Sequence, residues 1–187
     1  MKCAEANHLL LKAPSVTFLA DAMLGSIARK LRFFGFDTLY IAHAHDNEIL
    51  KMGIEQDRVI LTADKELFKR IVKVGARGVL VGGGTSELED LADILTKSGI
   101  KSVDTNGIGS RCSVCNGLLE ERTSDQVKNG DEGVVPNRVI ARYNQFFQCT
   151  ACGKVYWEGG HLERIRVLAR SLDAKLVGRA CTTTTIS

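Results

Sequence analysis

The stretch that indicates the fold is FLADAMLG, residues 18–25. A short apolar run that begins at Val16 ends in Asp21, and the apolar spacing of a helix starts immediately afterwards. This order predicts a buried strand of a parallel sheet that delivers an acidic side chain to the sheet's carboxyl edge. α/β proteins place their ligand-binding and catalytic groups at that edge.

Strand and helix patterns alternate along the first hundred residues. Short apolar runs predict four strands, and apolar spacings of three and four residues predict a helix after each strand. The predicted strands are 16–20, 36–41, 59–62 and 78–81, and the predicted helices follow Asp21 as far as Gly35 and then cover 46–55, 65–74 and 86–97. This alternation implies right-handed crossovers and a mostly parallel sheet in an α/β domain.

The composition changes at residues 102–110, where polar residues and glycines replace the apolar pattern. We therefore predict an α/β domain over residues 15–105 and a second unit over 108–177, which ends in a helix at 162–176. Residues 1–14 and 178–187 are predicted to be flexible tails. Because no apolar run reaches the ~18–20 residues that span a bilayer, we expect a cytoplasmic protein without membrane attachment.

Three aspartates are predicted at the carboxyl edge of the sheet: Asp21 after the first strand, Asp46 at the second helix and Asp64 after the third strand. Parallel strands share one carboxyl edge, so these acids are expected to converge. Clustered carboxylates favour Mg²⁺ or Mn²⁺, which can activate water against a phosphodiester. Asp46 and Asp64 also suit helix caps, whereas a carboxylate directly after a buried strand needs a partner for its charge.

Basic residues suggest a polyanionic partner in two places. Arg29 and Arg32 lie about 60° apart on the first helix and can point together toward a phosphate backbone. Residues 136–179 contain eight basic residues against three acidic ones, in a chain whose net charge is +3. Ordinary solvent-exposed positions are the alternative explanation for both features.

The cysteines form two C-x-x-C pairs, Cys112 with Cys115 and Cys149 with Cys152. This spacing lets each pair contribute two thiolates to one tetrahedral Zn²⁺. The quartet therefore predicts a closed, structural zinc site whose binding energy substitutes for a small hydrophobic core. Redox chemistry is the alternative for a C-x-x-C pair, although the context of a thioredoxin is absent here.

The segment after the second pair, KVYWEGGH, contains the one tryptophan of the chain, Trp157. Beside Tyr156 and Lys154, this side chain suits stacking on RNA bases. Packing between the ribbon and the last helix is the alternative for Trp157. His161 suits a cap of the last helix, a contact with RNA or an approach to the active site.

Together, FLADAMLGSIARKLRFFGFDT, HDNEIL, RVILTADKEL, RCSVCNGLL and FQCTACGKVYWEGGH resemble the Mut-seven C-terminal RNase family over about residues 16–168. The D-x-x-L-G-x-x-A-R-x-L-R helix and the Y-W-x-G-x-H segment are the most specific parts. The resemblance implies a PIN-like α/β nuclease domain, a zinc ribbon, and RNA cleavage that uses Mg²⁺ or Mn²⁺. It also implies catalytic and metal-binding roles for Asp21, Asp46 and Asp64, and zinc-binding roles for the four cysteines.

The chain departs from this family pattern at two places. Ala63 stands where the family usually has an arginine, and Gly82-Gly83-Gly84 follow the fourth strand, where PIN domains often present a fourth acid. We expect a metal-dependent endoribonuclease whose zinc ribbon helps to bind single-stranded or structured RNA. The departures support an alternative, an RNA- or ribosome-binding module with an inactive nuclease site. A receiver-like phosphoacceptor ranks third, and the sequence shows no surface for an antitoxin-like partner.

Overall fold

The computed structural model describes residues 16–103, 111–128 and 135–183, without the side chains of residues 161 and 180–183. The α/β domain contains β1 (Phe18–Ala20), α1 (Gly25–Phe33), β2 (Thr38–Tyr40), α2 (Asp46–Glu55), β3 (Val59–Thr62), α3 (Lys65–Lys73), β4 (Gly78–Leu80) and α4 (Glu87–Lys97). The second unit contains β5 (Leu119–Thr123), α5 (Ser124–Lys128), α6 (Asn137–Ile140), β6 (Gln145–Cys149) and β7 (Val155–Trp157), and α7 (Gly160–Thr183) follows it. Among the described helices, none has both the length and the apolar character that crossing a membrane requires.

The α/β domain is built on a four-stranded parallel sheet in the order β2-β1-β3-β4. β1 is central, with Leu19 opposite Leu39 of β2 and Ile60 of β3. All four strands therefore end at the same edge, as the alternating pattern predicts. The elements lie where the sequence places them, with small shifts at their ends and with one 3₁₀ turn (Ala22–Leu24) before α1.

Helices cover both faces of this sheet because successive strand residues point to opposite sides. Phe18 and Ala20 face the larger core, which they share with α1, α4 and α7. Leu19, between them, faces a smaller core that is completed by side chains of α2 and α3, namely Ile49, Leu50, Leu67 and Ile71. The two layers of helices leave only the edges of the sheet open for function.

The C-terminal helix packs on the α/β domain. The sequence alone groups this helix with the ribbon and predicts a tail from residue 178, but α7 continues to Thr183. Its buried residues Ala169, Leu172 and Leu176 lie in the larger core beside α4. The apolar stripe of α7 is buried there because the ribbon's own core is too small to cover it. The predicted tail at 1–14 lies outside the described residues.

Ion pairs add to the contact between α7 and α4. Glu89 of α4 pairs with Lys175 and with Arg179 of α7, and Arg179 also pairs with Asp93 at 2.7 Å. Asp173 of α7 also accepts a hydrogen bond from the Val103 amide, at 2.9 Å. These contacts hold α7 against the α/β domain.

The second unit is a three-stranded antiparallel ribbon in the order β5-β6-β7. Phe146 is fully buried at its centre, with Val135, Ile140 and Val155 around it. An apolar core of this size is too small to keep the ribbon folded by itself, so the ribbon needs another source of stability. The ribbon contacts the start of β2, which lies at the amino edge of the parallel sheet.

Candidate active site and zinc site

Asp21 lies at the carboxyl end of β1 and is almost completely buried, with 6% of its surface exposed. One carboxylate oxygen accepts a hydrogen bond from the Met23 amide at 3.0 Å, which caps the following 3₁₀ turn. The other oxygen accepts a hydrogen bond from the Thr62 hydroxyl. A buried carboxylate is costly unless hydrogen bonds replace its lost hydration, and these two donors do so while holding its orientation.

Thr62 joins Asp21 to Asp64, because the same hydroxyl accepts a hydrogen bond from the Asp64 amide at 2.9 Å. Thr62 ends β3, the strand beside β1, and its side chain is fully buried. It is not among the residues that the sequence patterns single out. The available signal was a hydroxyl residue at a strand end, two positions before an aspartate.

Asp64 is the N-cap residue of α3. This is one of the two roles that the sequence suggests for it, the other being a metal ligand. Its Oδ1 accepts hydrogen bonds from the amides of Glu66 and Leu67, at 2.6 and 3.2 Å. Its Oδ2 forms no hydrogen bond within the described residues, and the side chain is exposed. Asp64 therefore provides both a helix cap and an available oxygen at the edge where Asp21 lies.

Asp46 is the first residue of α2 and follows the cap residue, His45. The Glu48 carboxylate accepts a hydrogen bond from the His45 amide at 2.9 Å, so Glu48 contributes to the capping of α2. Asp46 instead pairs with Arg70 of α3, whose Nη1 lies 2.8 Å from Oδ2, and Arg70 also hydrogen-bonds to Asn47. This ion pair occupies one oxygen of Asp46.

The structure brings Asp21 and Asp64 together through Thr62 but does not gather all three aspartates into one compact ligand set. Among described acidic, histidine and cysteine side chains, the cysteine quartet is the group of three or more whose ligand atoms lie within 4.8 Å of one another. Asp21 and Asp64 offer the hard oxygen donors that Mg²⁺ and Mn²⁺ prefer. The donor chemistry of this pair therefore fits such an ion, while Asp46 is engaged by Arg70.

A further acid reaches this edge from α4. Asp90 Oδ1 accepts hydrogen bonds from the amides of Gly82 and Gly84, at 3.3 and 3.1 Å. Gly82 has a φ of 104°, which favours glycine, and a Cβ at Gly84 would lie 2.8 Å from Asp90 Oδ1. The turn after β4 contains no acid of its own, but its glycines allow the carboxylate of the next helix to approach its backbone.

The two arginines predicted to contact RNA differ in exposure. Arg32 is 5% exposed and donates hydrogen bonds at 2.8, 3.1 and 2.9 Å to the carbonyl oxygens of Thr38, Ser113 and Val114. Burial lowers the pKa of Arg32 below its ordinary value. The expectation of a phosphate contact from Arg32 is therefore corrected, because its guanidinium joins α1 to the first cysteine pair. Arg29 is exposed, as a phosphate contact requires.

The four cysteine sulfurs form a tetrad between the two C-x-x-C turns. Cys112 Sγ lies 3.7 Å from Cys152 Sγ, and Cys115 Sγ lies 3.4 Å from Cys149 Sγ. A tetrahedral Zn²⁺ with bonds of about 2.3 Å separates its sulfur ligands by about 3.8 Å. Donor type and spacing therefore fit a closed zinc site.

The two cysteine turns share one backbone arrangement. The Asn116 amide donates to Cys112 O at 2.9 Å, and the Gly153 amide donates to Cys149 O at 3.0 Å. Asn116 and Gly153 both have positive φ, at 69° and 72°, which glycine and asparagine tolerate best. Two further amides point at the Cys149 sulfur from 3.4 and 3.5 Å. These N–H groups stabilise negative charge on the sulfur.

Crowding prevents all four thiols from ionising without a cation. Burial, together with hydrogen bonds to the neighbouring cysteines, raises the pKa of Cys115 to about 12. For Cys112, burial opposes ionisation, but the Tyr156 hydroxyl at 3.1 Å and nearby backbone groups outweigh it and lower the pKa to about 6. A bound Zn²⁺ supplies the positive charge that lets every sulfur become a thiolate.

Comparison with known families covers both of these sites. The family model described as Mut7-C RNAse domain matches residues 16–169. The chain belongs to the Mut7-C RNAse domain family. The match includes the acidic edge, the cysteine quartet and the start of α7, so the ribbon is part of the Mut7-C unit. No curated protein matches the chain.

The Y-W-x-G-x-H segment of this Mut7-C chain lies where the ribbon meets α7. Trp157 ends β7 and is partly buried against the ribbon core. It also shares a cavity with Phe33, at the end of α1 farthest from Asp21. His161 lies in the first turn of α7, and its side chain is outside the described residues.

Proposed function

We propose that this Mut7-C protein is a metal-dependent ribonuclease that cuts phosphodiester bonds within an RNA strand. The observation that carries the proposal is the Thr62 hydroxyl, which joins Asp21 to Asp64 at neighbouring strand ends within a Mut7-C RNAse domain. Open carboxyl edges of parallel sheets are where α/β enzymes place their reactive groups.

In this proposal Asp21 and Asp64 hold Mg²⁺ or Mn²⁺, and Asp46 would become a third ligand through the oxygen that its ion pair with Arg70 leaves unused. The ion, when bound, acidifies a water molecule and neutralises charge on the phosphate. Thr62 holds Asp21 in the orientation that binding needs, and exposed Arg29 provides a cation for the RNA backbone. We place the activity in the cytoplasm, where cysteines stay reduced and available to zinc.

The zinc site has a different role in this proposal. A Cys₄ site has no open coordination position, so it contributes stability and leaves the hydrolysis to the acidic edge. The ribbon it stabilises contributes to RNA binding, because its last strand carries Lys154, Tyr156 and Trp157.

Incubation with a defined, end-labelled single-stranded RNA tests the nuclease proposal. The parent protein is expected to make internal cuts with Mg²⁺ or Mn²⁺ and none without an added ion. Asp21→Asn and Asp64→Asn are each expected to slow cleavage at least about 100-fold, because each removes charge from the ion's ligands. Asp57→Asn is the matched control, since Asp57 is exposed on the opposite edge and asparagine tolerates its φ of 48°. Equal cleavage by the parent, Asp21→Asn and Asp64→Asn would refute the assignment.

A second function, an RNA- or ribosome-binding module without catalysis, is favoured by one observation. Asp46 is already paired with Arg70, so the described carboxylates do not form a complete metal-binding set. RNA binding that persists after a mild chelator removes the added ions, with zinc retained and no cleavage under any divalent ion, would select this function.

A further inference from the structure

A cavity of about 410 Å³ lies where the ribbon meets α1 and α7, away from the acidic edge. Its volume falls within the range of small-ligand sites. Its walls come from the end of α1, the first cysteine turn, β7 and the start of α7; they are Phe33, Ser113, Lys154–Trp157, Gly159, Gly160 and Leu162. The cavity therefore combines aromatic side chains, a hydroxyl, a cation and glycine backbone.

The rings in its wall are fixed in position. Phe33 and Tyr156 meet edge to face, with centroids 6.1 Å apart and planes at 85°. The Tyr156 hydroxyl lies 3.0 Å from Ser113 Oγ, and Lys154 Nζ lies 5.9 Å from the Tyr156 ring centroid. A ligand thus meets fixed aromatic rings, with the Lys154 cation over the Tyr156 ring and the Ser113 hydroxyl at its edge.

Two glycines keep one side of the cavity open. A Cβ at Gly159 would lie 3.0 Å from Nε1 and 3.2 Å from Cδ1 of Trp157, so a side chain there would press on the indole. A Cβ at Gly160 would meet no atom of the described residues within 4 Å, its chain neighbours apart. The absence of side chains at these two positions gives a ligand access to Trp157.

Two cations border this opening. Lys154 lines the cavity, and Arg164 Nε donates a hydrogen bond to the Gly160 carbonyl at 3.3 Å. Neither forms an ion pair with a carboxylate in the part of the chain that the structure describes, whereas Arg166 nearby pairs with Glu158. Cations without carboxylate partners beside aromatic rings suit single-stranded nucleic acid, whose bases stack while its phosphates contact the cations.

We propose that this cavity binds one unpaired base of a single-stranded RNA beside the Tyr156 ring and the edge of the Trp157 indole that faces Gly159, with the flanking phosphates at Lys154 and Arg164. The choice of RNA as the ligand rests on the proposed ribonuclease function. A base within a duplex is excluded, because it is already stacked and paired and cannot enter the cavity.

The cavity is separated from the acidic edge by the length of α1. This helix has nine residues and runs from the acidic edge to Phe33, which corresponds to about 13 Å. Stacked nucleotides rise about 3.4 Å each, so about four of them span this distance. A stacked RNA of about four or more nucleotides is therefore expected to reach from the cavity to the acidic edge, so the cavity can hold the strand whose bond is cut.

Trp157 is the one tryptophan of the chain, so its fluorescence reports directly on the cavity. The zinc-loaded full chain is titrated with a six-nucleotide RNA, without added Mg²⁺ or Mn²⁺, and separately with the same strand in a duplex. We expect saturable quenching by the single strand and none by the duplex. Equal quenching by both, or none by either, would overturn the proposal.

Variants and a labelled six-nucleotide RNA provide the second measurement. Lys154→Ala and Trp157→Ala are each expected to raise the dissociation constant at least about 5-fold, and Trp157→Phe is expected to raise it less because it keeps a ring. Lys73→Ala is the matched control, since Lys73 is exposed on α3. Zinc content and thermal midpoint identify any variant that fails to fold, and Lys154→Ala removes no core side chain.

Because no divalent ion is added, these measurements report RNA binding in the cavity without RNA cleavage. They therefore distinguish the cavity proposal from the nuclease proposal. Quenching without any later cleavage would uphold the cavity and refute the nuclease. Cleavage by the parent, with Lys154→Ala and Trp157→Ala binding the RNA as tightly as the parent does, would refute the cavity and uphold the nuclease.

Discussion

At the scale of single residues, Thr62 has the most demanding position in the acidic site. Its buried hydroxyl donates to the Asp21 carboxylate and accepts from the Asp64 amide, so it must act as donor and acceptor at once. A hydroxyl group donates and accepts through one oxygen atom, which suits a short side chain between two partners. Valine has nearly the same shape but would leave both partners without their hydrogen bond.

Thr62→Val is therefore expected to lower the free energy of unfolding by about 1–3 kcal/mol, because it leaves a buried carboxylate oxygen and an amide unsatisfied. RNA cleavage is expected to fall with it, since Asp21 loses the donor that orients it. Urea unfolding and the cleavage assay measure the two effects. Thr62→Ser keeps the hydroxyl and is the control, and a Val variant as stable and active as the Ser variant would contradict this role.

At the scale of elements, the turn between α1 and β2 is the point at which the ribbon attaches. Gly35 ends α1 with a φ of 89°, which places Asp37 at the start of β2. The Asp37 carboxylate contacts Arg58 of the domain at 2.7 Å, and it contacts Arg111 at 3.3 Å and Asn116 at 2.9 Å beside the first cysteine pair. One charge therefore holds groups from both units.

The ionisation of Asp37 makes this attachment sensitive to pH. Partial burial would raise its pKa, but hydrogen bonds from Arg58 and Asn116 and the charges of Arg58 and Arg111 outweigh burial and hold the pKa below its ordinary value of 3.8. Because the folded pKa is the lower one, the stabilisation is present above pH 3.8 and is lost as the pH falls through the folded value.

Asp37→Asn is expected to lower the free energy of unfolding by about 1–3 kcal/mol at neutral pH, because the charge-assisted hydrogen bonds are lost. The difference from the parent is expected to shrink as the pH falls below 3.8, because Asp37 is then protonated in the unfolded chain before it is protonated in the folded protein. Urea unfolding at pH 7, 4 and 3 measures this change, with Asp57→Asn as the control for losing an exposed acid. A difference that stays constant down to pH 3 would contradict the assignment.

At the scale of the whole molecule, the chain leaves the α/β domain, forms the ribbon, and returns as α7 to complete the first core. Leu172 of α7 is fully buried in that core, beside residues from α1 and α4. Among its described residues, the ribbon has one small apolar cluster besides the cysteine tetrad. We therefore expect the two units to depend on different forces, apolar burial in the domain and metal binding at the cysteine tetrad in the ribbon.

Two variants are expected to weaken these two sources of stability one at a time. Leu172→Ala is expected to cost about 2–5 kcal/mol of stability, because it opens a cavity in the core, while the protein keeps about one zinc per chain. Cys149→Ser/Cys152→Ser is expected to lose the zinc while the α/β domain keeps its unfolding transition. Elemental analysis and thermal unfolding measure both results. A cysteine variant that retains its zinc, or a Leu172 variant as stable as the parent, would contradict this division.

Local patterns in the sequence were enough for the elements and for the metal ligands of the ribbon. The strand before Asp21, the helix stop at Gly35 and the C-x-x-C spacing each depend on neighbours a few residues apart, where periodicity and turn chemistry decide. The sequence also predicted Asp64 at the same edge as Asp21, because the carboxyl ends of parallel strands share one edge whatever the strand order.

Only the tertiary structure decided which of these side chains meet. Arg32 and Arg29 look alike in sequence, yet the docked ribbon buries Arg32 among carbonyl oxygens. Thr62 gains its role because β3 lies beside β1, and α7 joins the first core although it follows the ribbon. The physical reason is that burial and hydrogen-bond partners depend on contacts between residues up to about a hundred positions apart, which no local pattern contains.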